Sequence, residues 1–230
     1  MTMATFVLVP GAGGTTWYWH RLVPELQARG HDAVPVDLPT GDETAGLGEY
    51  ADVIVDTIGD RDRVVLVAQS MGGFSAPLAC DRAKVELLVM LNSMVPAPGE
   101  TFGEWWGNTG QSQAAAEFAA SEGRPSEEFD MVDGFFHDVP QELTAEALAA
   151  GMPEQADKPC TEPWPLKTWP DVPTRFLQGR DDRLFPLAFQ RRIVKERLGI
   201  AVDDIPGGHM IALSQPVALA DRLAAYYTEL

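Results

Sequence analysis

The stretch from Val64 to Ala79, "VVLVAQSMGGFSAPLA", decides the fold. Val64 to Val67 is a short, continuously apolar run with charge on one side and Gln69-Ser70 on the other, the pattern of a strand buried on both faces. From Phe74 onward the strand pattern is lost, and the small residues Ala76 and Ala79 suit a helix packed closely on a sheet. Ser70 therefore falls at a strand-to-helix turn. A very tight turn there holds the serine backbone in a strained geometry, pushes Oγ out over the carboxyl edge of the sheet and aims the next N–H groups at the same point. Such a turn requires small residues two positions before and after the serine, and these are Ala68 and Gly72. Serine is also a favoured helix N-cap, worth about 1 kcal/mol, so the stretch by itself reads equally well as a nucleophile or a cap.

Working outward, buried-strand patterns recur at Thr5–Val9, Asp32–Val36, Val85–Leu91, Thr174–Gln178 and Ala201–Ile205. Helical patterns lie between or after them at Trp19–Arg29, Glu49–Ile58, Met71–Arg82, Leu187–Leu198 and Val217–Tyr227. Strand and helix alternate, which predicts an α/β fold with a largely parallel sheet flanked by helices, and ligands beyond the carboxyl ends of the strands. The alternation fails once, between Leu91 and about Thr174, where helices are expected at Ser112–Ser121 and Gln141–Ala150 among many Pro, Gly and Trp residues. A connection this long has structure or function of its own. We read it as a helical lid over residues 93–170, inserted into a core made of residues 1–92 and 171–230.

Length and charge bound the function. A chain of 230 residues fits one domain that buries roughly 70% of its unfolded surface. A formal net charge of -17 and a pI of about 4.5 repel nucleic acid and anionic membranes alike. The start, "MTMATFVLVPGAGG", has no basic segment ahead of an apolar one, which predicts no signal peptide, no membrane span and a cytoplasmic protein. Cys80 and Cys160 fit reduced thiols. No spacing of His, Cys and carboxylates suggests zinc and no phosphate-binding G-x-x-x-x-G-K-[ST] loop is present, so neither a metal nor another cofactor is expected.

A catalytic serine needs a general base and usually a carboxylate to orient it. Of four histidines, His20 and His31 fall in surface or packing positions and His137 in the lid, where it is placed to touch substrate. His209, in "DDIPGGHMIALSQP", follows the last strand, with two glycines to turn the loop back across the sheet edge. Asp181 and Asp182, in "FLQGRDDRLFP", follow the fifth strand; Asp182, four residues before the helix-opening Pro186, is the better candidate and Asp181 a capping or salt-bridging neighbour. Oxyanion donors are expected at the N–H of Met71, after the serine, and of Ala12, in the glycine-rich loop "VPGAGGTTW".

Together, "FVLVPGAGGTTWYWHRLVPELQARGHDAVPVDLP", "LVAQSMGGF", "GRDDRLFPLAFQ" and "GGHMIALSQP" resemble the α/β-hydrolase superfamily over nearly the whole chain, in particular the small branch of plant methylesterases, hydroxynitrile lyases and bacterial esterase-like proteins. The resemblance implies an α/β-hydrolase fold with the lid after the strand equivalent to the family's sixth, Ser70 as nucleophile, His209 as base, Asp182 as orienting acid, and Ala12 and Met71 as oxyanion donors. Three positions depart from the pattern. Ala68 replaces the usual first glycine of the turn, and Pro10 stands where relatives commonly carry histidine. Met210 follows the catalytic histidine where lyases of this branch place a lysine, which tilts the expectation toward ester hydrolysis. The lid carries Phe102, Trp105, Trp106, Phe129, Phe135 and Phe136, and the first loop adds Trp17 and Trp19. From these we expect substrate contacts from Trp17, Trp105, Trp106, Phe135, His137 and Met210, in a pocket suited to a small apolar or aromatic ester. The expected activity is that of a carboxylesterase working through an acyl-enzyme on Ser70. The alternatives are a noncatalytic small-molecule binder, or a lyase, thioesterase or carbon–carbon hydrolase using the same triad.

Overall fold

Six runs of mainly apolar residues pair into one sheet in the computed structural model, which describes residues 3–124, 130–151 and 154–230. The strands are β1 (Thr5–Val9), β2 (Asp32–Pro35), β3 (Val64–Gln69), β4 (Val85–Leu91), β5 (Thr174–Gly179) and β6 (Val202–Ile205). Their order is β2-β1-β3-β4-β5-β6, and every pair is parallel. β3 runs two residues beyond the apolar run ending at Val67, because Ala68 still pairs with Met90 and Gln69 with Leu91. The chain direction across the sheet reverses between β1 and β3, so the loops that leave these two strands open a crevice at the carboxyl edge.

The helices are α1 (Leu22–Ala28), α2 (Leu47–Ile58), α3 (Gly72–Cys80), α4 (Phe102–Thr109), α5 (Gln111–Ser121), α6 (Met131–Phe136), α7 (Gln141–Ala149), α8 (Lys158–Thr161), α9 (Leu187–Leu198), α10 (Ile211–Ser214) and α11 (Pro216–Thr228). The helix expected from Trp19 begins only at Leu22, since Thr16–Trp19 forms its own 3-10 turn. Alternation along the strands sorts the core into two layers. Val7, Val9, Leu66, Ala68, Leu88 and Met90 face α2, α3 and α9, while Phe6, Leu8, Val65, Val67, Val89 and Leu91 face α1, α10 and α11.

Between β4 and β5 the described residues form no strand, and α4 to α8 fill the connection. Part of it is built into the core. Trp164 is buried and its indole N–H donates to the Phe74 carbonyl of α3 at 3.1 Å; the Gln111 amide donates to the Leu184 carbonyl; Arg197 of α9 grips buried Glu100. By contrast α7 contributes no buried residue. Phe129 lies outside the described residues. Among the described residues no helix is long and apolar enough to cross a membrane.

Candidate active site

Ser70 is the first residue past β3 and has φ +53°. A left-handed backbone at a residue with a Cβ costs of order 1–3 kcal/mol and persists only where its surroundings over-determine it. Here the Ser70 N–H donates to the Leu91 carbonyl at 3.2 Å, and the Ser70 carbonyl accepts from Gly73 N–H, Met94 N–H and the Ser93 hydroxyl. The turn is tight because its neighbours have no side chain. A Cβ on Gly72 would stand 2.8 Å from the Pro10 carbonyl oxygen, and one on Gly73 only 1.9 Å from that of Met94. Ala68, at the fully buried end of β3, is accommodated without disturbing this geometry.

His209 arrives on the loop between β6 and α10. It is completely buried, with Nε2 3.2 Å from Ser70 Oγ and Nδ1 2.9 Å from Asp182 Oδ2. Asp182 is equally buried, and its Oδ1 accepts the N–H groups of Leu184 and Phe185, both at 2.9 Å. With Oδ1 taken by the two backbone N–H groups, Oδ2 accepts from His209 Nδ1–H, a tautomer that leaves the Nε2 lone pair toward the serine. Phe135 and Phe185 meet the imidazole edge-to-face, with centroids 5.1 and 5.2 Å away, and exclude water from it. The neighbouring Asp181 instead accepts the Gly207 N–H and is exposed.

Several residues hold this arrangement without having stood out in the sequence. Buried Asn92, at the end of β4, donates its amide to the carbonyls of both Gly208 and His209 and accepts the Gly179 N–H, so one side chain ties the histidine loop to the acid-bearing strand. The Gln178 amide donates to Asp182 Oδ2 and to the Phe185 carbonyl. Gln69 brings its amide nitrogen within 3.2 Å of His209 Nε2. Asp138 accepts the Gly208 N–H from the insertion side. Asn92, Gln69 and Gln178 share one sequence signal, a polar side chain in or directly after an apolar strand, whereas Asp138 follows α6 and carries no such signal.

The glycine loop after β1 presses on the serine turn. A Cβ on Gly11 would lie 2.5 Å from Gln69 Oε1 and 2.8 Å from Ser70 Cβ, so the Gly11 backbone packs against the serine side chain, and Ala12, next in the chain, lines the same cavity as Ser70. Met71 directly precedes α3, where helix N–H groups lack partners within the helix. Above them opens a cavity of about 570 Å³ whose walls include Ala12, Trp17, Ser70, Trp106, Phe135, His209 and Met210. Trp105 and His137 do not line it. Trp105 points the other way, fully buried against Phe185 and Phe189, with its indole donating to the Val95 carbonyl. His137 turns toward the loop of Gly208, away from the cavity, because Phe136 beside it takes the lining position.

A family model described as "Alpha/beta hydrolase family" matches residues 6–222. The chain belongs to the α/β hydrolase family. Among relatives of this hydrolase, a probable esterase of Oryza sativa is 28% identical over 96% of the chain and 97% of that protein. An alpha-hydroxynitrile lyase of Arabidopsis thaliana is 26% identical over 97% of each. The fold is shared with a pyrethroid hydrolase from Sphingobium faniae, with TM-score 0.71, 24% identity and 99% and 98% of the two chains covered. It is also shared with polyneuridine aldehyde esterase, with TM-score 0.75, 21% identity and 98% and 99% covered.

Proposed function

We propose that this α/β hydrolase is a carboxylic ester hydrolase acting on small apolar or aromatic esters through an acyl-enzyme on Ser70. The observation that carries the reading is the continuous chain from Ser70 Oγ through His209 to Asp182, at 3.2 and 2.9 Å, opening on a largely apolar cavity. Esterase names among relatives that span the whole chain support it. Met210 supports hydrolysis over cyanohydrin cleavage, since its thioether offers no ammonium to a leaving cyanide.

In this reading His209 Nε2 takes the Ser70 proton as Oγ attacks the ester carbonyl, and Asp182 stabilises the imidazolium. The N–H groups of Ala12 and Met71 receive the developing oxyanion. Collapse passes the Nε2 proton to the departing alcohol and leaves Ser70 acylated. Water, deprotonated by the same nitrogen, then releases the acid and restores the serine. Trp17, Trp106, Phe135 and Met210 bind the apolar body of the substrate, and α6 and α7 act as its cover. The two cysteines are unpaired, in keeping with a cytoplasmic setting.

The test is hydrolysis of p-nitrophenyl esters from acetate to decanoate, and of the benzoate, by the wild type and Ser70→Ala. Turnover by the wild type, its loss in the variant and labelling of Ser70 by a fluorophosphonate are expected. No turnover and no labelling would sink the proposal.

A further inference from the structure

Among the described residues, one charged group lines the cavity. Among the described residues at its wall, Glu146 of α7 is the sole formal charge, and no lysine or arginine is present to pair with it there. The carboxylate is held in place: its Oε1 accepts the Trp17 indole N–H at 2.9 Å. Trp17 is itself fixed by its position at the 3-10 turn and by the His20 ring, 4.9 Å away centroid to centroid. Trp106, Phe135 and Phe136 line the same cavity, and the rest of its described wall is uncharged. A carboxylate beside aromatic faces is the chemistry that recognises an alkylammonium group, through ion pairing together with attraction to the ring faces. The same lining repels a carboxylate-bearing substrate, and the net charge of -17 draws cations toward the opening.

We infer that Glu146, with the rings of Trp17 and its neighbours, forms a cation subsite, so that the esters this enzyme prefers carry a quaternary or protonated amine beside an apolar body. The inference rests on the serine-hydrolase reading and adds the substrate class to it. Glu146 is exposed, so the preference is modest and sensitive to salt.

The experiment compares choline esters with the 3,3-dimethylbutyl esters of the same acids, which have the same shape and differ only in charge. At low ionic strength the wild type is expected to favour the choline ester in kcat/KM by about fivefold. Glu146→Gln keeps an acceptor for the Trp17 indole but removes the charge, and should bring the ratio to about two, as should added salt. Glu142→Gln, on the same helix but away from the cavity wall, should leave the wild-type ratio in place. A wild-type ratio of one or less, or a ratio that Glu146→Gln does not lower, overturns the inference. If no ester is turned over, the hydrolase reading fails by itself. Calorimetric binding of the two esters to Ser70→Ala then decides the subsite, with tighter binding of the choline ester supporting it and equal or weaker binding overturning it.

Discussion

Replacing Asp182 by asparagine removes one charge and almost no volume, yet the hydrogen bonds around it predict a severe loss. Oδ1 accepts two backbone N–H groups, from Leu184 and Phe185, which cannot turn away. The asparagine must therefore keep its carbonyl oxygen at that position. Its NH2 group then replaces Oδ2 and points at the two donors that met the carboxylate, His209 Nδ1 and Gln178 Nε2. Gln178 cannot relieve the conflict by rotating its amide, because the same nitrogen donates to the Phe185 carbonyl at 2.8 Å. The remaining escape is a change of tautomer. His209 puts its proton on Nε2 and accepts with Nδ1, so the nitrogen that faces Ser70 has no lone pair for the serine proton. Loss of base function through the wrong tautomer costs about 10⁴-fold in kcat in serine proteases, roughly 5.5 kcal/mol of barrier. We predict a loss of about 10³- to 10⁴-fold for Asp182→Asn in the p-nitrophenyl ester assay, with Tm checked by thermal scan to show that the fold persists. Asp182→Ala imposes no wrong tautomer, so the near-isosteric asparagine should be no better than alanine. An Asp182→Asn protein within tenfold of the wild type would refute this reasoning.

Three further outcomes follow from other contacts. Gly11→Ala should lower kcat by about 10- to 100-fold, because its Cβ would need space occupied by Gln69 Oε1 and Ser70 Cβ and would displace the glycine loop; an unchanged kcat would contradict the tight approach. Trp105→Ala should cost about 3–5 kcal/mol of stability, read as a urea midpoint, while preserving the chain-length profile of ester hydrolysis, since this indole is buried away from the cavity. Glu100 is pushed up by burial, but the Arg197 guanidinium, the Asn108 amide and the Ala97 N–H outweigh that and hold its carboxyl below the ordinary range. A depressed carboxyl contributes stability that is present above the unfolded value of about 4.5 and lost as pH falls through the folded value. Glu100→Gln should thus be less stable than wild type at neutral pH and should lose less stability on acidification, measured by urea midpoints across pH 3 to 7; parallel curves would contradict the assignment.

Local chemistry made much of the fold legible. Apolar runs of strand length, helix periodicities between them and small residues around Ser70 are short-range patterns, so the six strands, their alternation with helices and the serine turn could be read directly from the chain. Serine, aspartate and histidine each follow a strand end, and a parallel sheet gathers such ends at one edge. Helices α4, α6, α8 and α10 are not legible in the sequence, since α8 and α10 are single turns of four residues and α4 and α6 mix glycines with adjacent aromatic residues that blur the helical period. For α4 a local signal did exist: Thr101 and Glu104 form a capping box, with Thr101 Oγ1 accepting the Glu104 N–H at 3.1 Å.

Whether a side chain enters the cavity or the core depends on rotations that no local pattern sets. Trp105 and Trp106 are consecutive on α4 and differ by about 100° around its axis, so both meet Phe185, but only the first reaches Phe189 and the Val95 carbonyl and is buried, while the second lines the cavity. His137 and Phe136 divide in the same way. Asp181 and Asp182 are chemically identical neighbours, and only the course of the chain after β5 turns Asp182 into the buried network and Asp181 out to the Gly207 N–H. Sterics and periodicity act over a few residues, so the chain alone reveals the six strands, the longer helices and the reactive groups that stand at the strand ends. Which of those groups meet depends on strands distant in the chain sharing one edge, with Asn92 tying the histidine loop to the end of β5, and only the tertiary packing sets that.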